Sequence, residues 1–453
     1  MELLRIAIPL MISTGFFSVQ LFIDRTILFA YSSDAAAAAM GAGSVYWTIT
    51  CFPVGLIGFV YVFVAQYFGA RQEERIGLAV WQAVWMSLLT IPIFILSWII
   101  APYCFEYVGH PPNVAKLEAS YFRFLAIGGP GAVLTAALAG FFSGLGKTKI
   151  VMLTDVFCTL VNIALNILLV FGPGPFPELG IAGSAIATAF ASWLHVPILV
   201  WGMLRAEHVE RFGLRSACRW DWALVKRMIQ YGWPAGVQML SESAAFSVIM
   251  IMVGQLGELP LAATTLALGV NILAFVPMMG LSQALGVLVG QRLTEGQIPL
   301  AVKTVRTCLA MSAIYTGCFA LVYGLFPDQI LSLYSAVSEV ERFKEIEPLV
   351  KSLLIFISIY CVLDGFQIIF VGAIKGAGDT MFVLLGTTLT SLGAILVGIA
   401  GASWFGASLQ WWWLVITLWV ISMMIAFGLR YWHGAWKKMR VIESTTQVGQ
   451  LPI

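Results

Sequence analysis

Apolar residues fill this chain in stretches of about 20 or more, separated by short polar breaks. A hydrocarbon layer of roughly 30 Å needs about 20 apolar residues per helix, so each stretch predicts a membrane-spanning helix. The stretches lie near 6–30, 43–67, 78–101, 121–143, 150–172, 180–204, 228–254, 261–290, 305–327, 350–373, 381–405 and 409–430, six in each half of the chain. The first begins almost at Met1 with only Arg5 before it and is too long for the apolar region of a signal peptide, so it is expected to remain as a span.

The chain also contains itself twice. Adding 225 to Pro9, Ala37, Ala38, Gly55 and Gln66 lands on Pro234, Ala262, Ala263, Gly280 and Gln291. Adding 232 to Gly140, Gly144, Gly146 and Thr148 lands on Gly372, Gly376, Gly378 and Thr380. The expected fold is therefore an all-α polytopic membrane protein of twelve transmembrane helices, in two six-helix lobes related by an internal repeat. The lobes are 1–205 and 228–432, with a polar linker at 206–227 and a tail at 433–453 that lacks helical periodicity and is expected to be mobile.

Composition agrees. The chain is 60% hydrophobic and 11% charged, so its apolar surface does not fit inside one aqueous core and lipid must be its solvent. The net charge of +2 points to no nucleic-acid partner, because the basic residues sort by loop rather than forming a patch. Nineteen Lys and Arg fall on the side of the N-terminus, among them Arg71, Arg75, Lys147, Arg211, Lys226, Lys375 and Lys438. Five fall on the other side (Lys116, Arg123, Arg342, Lys344, Lys351), and Arg25 lies inside the first span. The positive-inside rule then makes both termini and the linker cytoplasmic, in a multi-pass protein of the cell inner (plasma) membrane. The seven Cys form no CxxC pair and read as small apolar packing residues.

A carboxylate at mid-membrane costs at least about 2.5–3.5 kcal/mol on insertion scales, which makes such residues functional candidates. Of 23 acidic residues only Asp24, Asp155, Glu242 and Asp364 fall within the spans. Asp155 lies about one turn from a helix start, where facing headgroups and favouring the helix N-terminus is an ordinary structural role. The other three each follow a polar residue by one helical turn: Gln20 before Asp24, Gln238 before Glu242, Tyr360 before Asp364. Asn162 and Asn166 share that spacing, which puts each pair on one helix face. Such stacked oxygens suit a shared proton or a hard cation such as Na⁺; polar contacts between helices are the alternative, worth about 0.6–2 kcal/mol each.

The runs WPAGVQMLSE (233–242), LDGFQIIFVGAIKGAGDT (363–380), VNIALNILLVFG (161–172), LGIAGSAIATAF (179–190) and VAQYFGA (64–70) resemble the multidrug and toxic compound extrusion (MATE) family over nearly the whole chain. The resemblance implies an antiporter of two six-helix lobes in a V, exporting organic cations and similar amphipathic small molecules against H⁺ or Na⁺, with membrane lipids as its other partners. It implies a C-lobe cation site at Glu242 and Asp364 with Tyr360 and Gln238, and an N-lobe site at Asp24, Asn162, Asn166 and Thr188. Na⁺, if used, would bind at the same residues. Arg25 departs from the Thr or Ser that many members carry after this Asp, and threatens to weaken Asp24 as a proton carrier through space.

The remaining signals are ordinary. Pro9, Pro53, Pro130, Pro234 and Pro277 read as helix kinks. SGLGKT (143–148) and KGAGDT (375–380) lack phosphate-loop spacing and read as tight turns, so no ATP site or other cofactor is expected. Trp404 and Trp411 to Trp413 read as an interfacial belt. With four His, no HExxH and no GxSxG, an enzyme is not expected. The expected function is a monomeric secondary antiporter working by alternating access. The alternative is a flippase for lipid-linked oligosaccharides, which calls for a cavity rich in Arg and Lys.

Overall fold

The computed structural model describes residues 2–107, 111–335 and 340–443; His110 and the end of the tail lie outside them. Among the described residues twelve helices are long and apolar enough to cross a membrane. In chain order they are Glu2–Tyr31, Ser33–Gly69, Glu73–Tyr107, Pro112–Gly144, Thr148–Phe171 and Ile181–Met203, then Trp222–Gly254, Glu258–Thr294, Ile298–Leu325, Val340–Ala377, Thr380–Phe405 and Leu409–His433. Short connections make successive spans alternate in direction, so both ends of the helical region lie on one face, here called the near face. The matched glycines make the expected turns there: Gly146 and Gly378 stand at φ 73° and 100°, conformations that a side chain disfavours. Pro9, Pro53, Pro130, Pro234 and Pro277 all sit inside helices that continue past them.

The two halves trade the beginnings of their first helices. Leu3, Ile6, Ala7 and Leu10 of the first span pack in a core formed otherwise by the second half of the chain. Met228 and Ala235 of the seventh span, at the repeat offset from Leu3 and Leu10, pack in the core of the first half. Two glycines let these helices approach. A Cβ at Gly55 would lie 2.8 Å from Gly236 Cα, and one at Gly280 would lie 2.6 Å from the Leu10 carbonyl carbon. The polar partners are exchanged in the same way. Gln66 Nε2 donates to the Gly376 carbonyl at 3.1 Å, and Gln291 Nε2 donates to the Gly144 carbonyl at 2.8 Å. Each glutamine thus satisfies a backbone acceptor at a helix end of the opposite lobe, where no intrahelical donor remains.

These contacts lie toward the near face. Farther along the first span, Ile27 and Leu28 pack only with residues of the first half, such as Ala38, Phe122 and Val170. The lobes therefore join at the near face and keep separate cores beyond it.

Two expectations are corrected, that of the tail at this face and that of the Trp belt at the opposite one. The tail does not hang free over its described part: Trp436 is buried against Tyr431, and Val441 and Ile442 enter the first-lobe core. The Val441 N–H donates to Gln66 Oε1 at 2.8 Å, and Glu443 pairs with Arg75 and Arg227 while accepting from the Tyr67 hydroxyl. The 206–227 linker also packs on this face through a few side chains, with Phe212 and Leu214 buried and Arg211 paired through two nitrogens with Glu73. Of the Trp cluster, Trp412 and Trp413 are core residues and Trp404 alone is 80% exposed.

Candidate functional site

The first and fifth spans run side by side in a fixed register. Thr148 Oγ1 donates to the Ile6 carbonyl, Ser13 Oγ to Asp155 and Asn166 Nδ2 to Asp24, three contacts at one sequence separation of 142 residues. Steps of seven and eleven residues are close to two and three helical turns, so all three fall on one face of each helix. That register builds the N-lobe site.

Asp24 is only 7% exposed, and Asn162 and Asn166 are fully buried. Asn166 Nδ2 lies 2.5 Å from Asp24 Oδ1. The Asn162 amide, oriented to satisfy both of its ends, donates to the same oxygen at 3.0 Å and accepts the Thr188 N–H at 3.3 Å. Gln20, one turn before Asp24, takes a hydrogen bond from Thr159 at 3.3 Å. All four residues expected for this site are thus brought together, and Gln20 joins them. Among the described residues Asn166 Oδ1 is buried there without a partner, an oxygen free to accept a hydrogen bond or bind a cation. Arg25 is exposed and makes no ion pair with Asp24 among the described residues, since neighbours on a helix diverge by about 100°. Tyr121, buried beside Asp24 and Ser184, was not legible as a site residue because aromatic residues are common in every span.

The C-lobe site is looser. Gln238 Nε2 donates to Glu242 Oε1 at 2.6 Å, as their spacing predicts. Gln238 Oε1 in turn accepts from Lys375 Nζ. Lys375 was expected in a solvent-facing turn and Arg25 as the one basic residue within the spans. The structure instead puts Lys375 in the last turn of the tenth span, with its long stem turned inward. Asp364 faces a small cavity lined by Asn271, Met278, Thr316 and Cys361. Tyr360 does not bond to Asp364; its hydroxyl accepts from Asn271 Nδ2 at 3.2 Å. Asn271 could have been found as the one amide in the run ALGVNILAFVP.

Each lobe thus holds acidic groups beside amides, Asp24 buried in the first and Glu242 and Asp364 half-buried in the second. Similarity to known proteins bears on the fold that carries these residues. The family model MatE matches residues 9–168 and again 234–400, two matches whose starts and ends keep the offsets of the repeat. Among solved structures, the chain is similar to MATE in complex with MaL6, with TM-score 0.88, 21% identity and coverage of 97% of both chains. It is similar to MATE in the bent conformation, with TM-score 0.85, 20% identity and coverage of 96% of both chains. It is also similar to the eukaryotic MATE transporter AtDTX14, with TM-score 0.84, 19% identity and coverage of 96% of both chains.

Proposed function

Because the chain belongs to the MatE family of membrane transporters, we propose that it is a secondary antiporter exporting small cationic or amphipathic molecules in exchange for H⁺ or Na⁺. The observation that carries this reading is Asp24: a carboxyl group 7% exposed among apolar helices, held by two asparagine amides and, among the described residues, by no ion pair. A carboxylate so placed is costly to keep charged, and a proton or Na⁺ relieves that cost. Glu242 and Asp364 offer a second such position in the other lobe.

The positive-inside count supports a cytoplasmic near face in a plasma membrane. On that orientation the lobes are joined at the cytoplasmic side, which is the outward-facing member of an alternating-access pair. A single chain suffices for this reading, since each lobe supplies one site.

The test is export by purified protein in proteoliposomes under a pH gradient and a Na⁺ gradient imposed separately. Substrate movement driven by either gradient alone, and lost in Asp24→Asn, is the expected result. Export that ignores both gradients, or survives unchanged in Asp24→Asn, would reject the reading.

A further inference from the structure

His195 and Asp155 form a partly buried pair that the site above does not use. The His195 Nδ1 atom lies 2.7 Å from the Ala191 carbonyl oxygen. A carbonyl only accepts, so this nitrogen carries a hydrogen. The other nitrogen, Nε2, then faces Asp155 Oδ1 at 3.3 Å, with side chains 16% and 22% exposed. A ring lone pair and a carboxylate oxygen are both acceptors, and they stay in contact only with a proton between them. The second carboxylate oxygen is occupied by the Ser13 hydroxyl, which donates to it. Asp155, expected to face headgroups, instead faces the first and sixth spans.

His208 provides the contrast. Its Nδ1 also meets a carbonyl, Gly202 at 2.9 Å, but its Nε2 meets the Lys147 ammonium at 2.7 Å. An ammonium only donates, so His208 fits as a neutral ring. The same tautomer is thus set beside a donor in one case and beside an acceptor in the other.

We propose that Asp155, His195 and Ser13 form a second proton-holding site in the first lobe, and that it exchanges its proton with the near face as Asp24 turns over. The second clause rests on the cation-exchange reading; the first does not. Ser13 and Asp155 each lie eleven residues nearer that face than Asp24 and Asn166, about 16 Å along the helices. Gln20 and Thr159 lie between the two sites.

Removing the proton leaves two acceptors in contact, so the ring must turn or the fifth and sixth spans must shift. Those spans also carry Asn162, Asn166 and Thr188, which ties the loading of one site to the geometry of the other. Few other charges face the trio. Cys158 touches the His195 ring from the fifth span. Arg5 and Lys149 are exposed, Glu2 pairs with Arg292, and Lys116, Glu118 and Arg123 of the fourth span lie toward the far face.

The experiment uses full-length protein labelled with ¹⁵N-histidine in lipid nanodiscs, where four His give a simple spectrum. His195 is assigned by the signals lost in His195→Gln. The expected result is a hydrogen on Nδ1 and an Nε2 signal displaced by a shared proton, reverting to a free acceptor in Asp155→Ala, with His208 neutral throughout. An Nε2 signal identical in the wild type and Asp155→Ala overturns the site. In proteoliposomes, His195→Gln and Asp155→Asn should lower export driven by a pH gradient about tenfold or more and shift its dependence on near-side pH. Substrate binding by the purified variants should hold within about twofold, the range in which a binding role is not indicated. Wild-type rates and an unshifted profile in both variants overturn the exchange role. A wild type that responds only to Na⁺ does so as well, while the spectra still decide whether the proton is held.

Discussion

Gln66 and Gln291 do the same work for opposite lobes, whereas the acidic groups have no counterparts at the offsets that relate those glutamines and the helix ends they bind. Asp24 corresponds to Ile249, Glu242 to Phe17, Asp364 to Ala132, and Asn162 and Asn166 to Ala394 and Gly398. The junction between the lobes has kept its twofold likeness and the sites have lost it. Close packing explains the first half of this contrast. Each lobe presents the same glycines and the same glutamine to the other, so a change on one side spoils a fit that both share. The sites are under no such mutual constraint, and the lobes are free to divide the chemistry. The N-lobe site holds a lone carboxyl group among neutral amides, whereas the C-lobe site holds two carboxylates, of which Glu242 is linked through Gln238 to Lys375.

The contrast between the sites predicts the largest effects. Asp24→Asn and Glu242→Gln should each abolish gradient-driven export, because each removes a carboxyl group able to carry a cation. Their stabilities should differ. Asp24→Asn strands no charge and should unfold near the wild-type temperature. Glu242→Gln leaves the half-buried Lys375 ammonium without the carboxylate that shares its Gln238 partner, at a cost of order 1–3 kcal/mol. Thermal unfolding in detergent measures this, and Glu242→Gln with Lys375→Met should recover stability but not export. Equal stability of the two single variants would mean that the sites differ less than their hydrogen bonds indicate.

Much of this molecule was legible in its sequence, for reasons that separate by length scale. Twelve spans follow from runs of about 20 apolar residues, a signal that needs no tertiary information. Gln20, Asp24, Asn162 and Asn166 were legible because a charge or amide in lipid is expensive and spacing of four fixes its face. Lys375 was misplaced because a loop count assigns charge by backbone position, while four methylenes carry an ammonium several ångströms away from it. The docked tail escaped for another reason: Trp436, Val441 and Ile442 are too few for any periodic signal, and only the assembled near face gives them a place to bury. The His195 and Asp155 pair is separated by 40 residues, and nothing local marks the two as partners.

A second test bears on the junction, with effects of intermediate size. Gly55→Val and Gly280→Val each drive a side chain into the opposite lobe's backbone, and should each destabilise by about 1–3 kcal/mol. The two losses should match if the junction is symmetric. Gln66→Leu and Gln291→Leu should differ, because Gln66 alone also accepts the Val441 N–H of the tail. The excess for Gln66→Leu should be about 1 kcal/mol. Removing residues 440–453 should abolish that excess, and a difference that persists without the tail would place its origin elsewhere.

The smallest effect concerns the linker, where the first lobe has a contact with no image in the second. Burial, with the Lys147 ammonium adding to it, pushes the His208 pKa below its ordinary value near 6.5, even though the Gly202 carbonyl favours the charged ring. The sign follows from linkage. A lowered pKa in the folded protein means that the undocked linker binds the proton more readily than the docked one. Docking is therefore fully favoured above about pH 6.5 and weakens as the pH falls through the lowered value. Hydrogen exchange at residues 206–217 should accelerate several-fold between pH 7.5 and 5.5 once corrected for intrinsic rates. His208→Gln should flatten this dependence, since its amide can donate to Gly202 or accept from Lys147 without titrating. An acceleration that persists in His208→Gln would assign the pH sensitivity to another group, with Glu73 opposite Arg211 the first to examine.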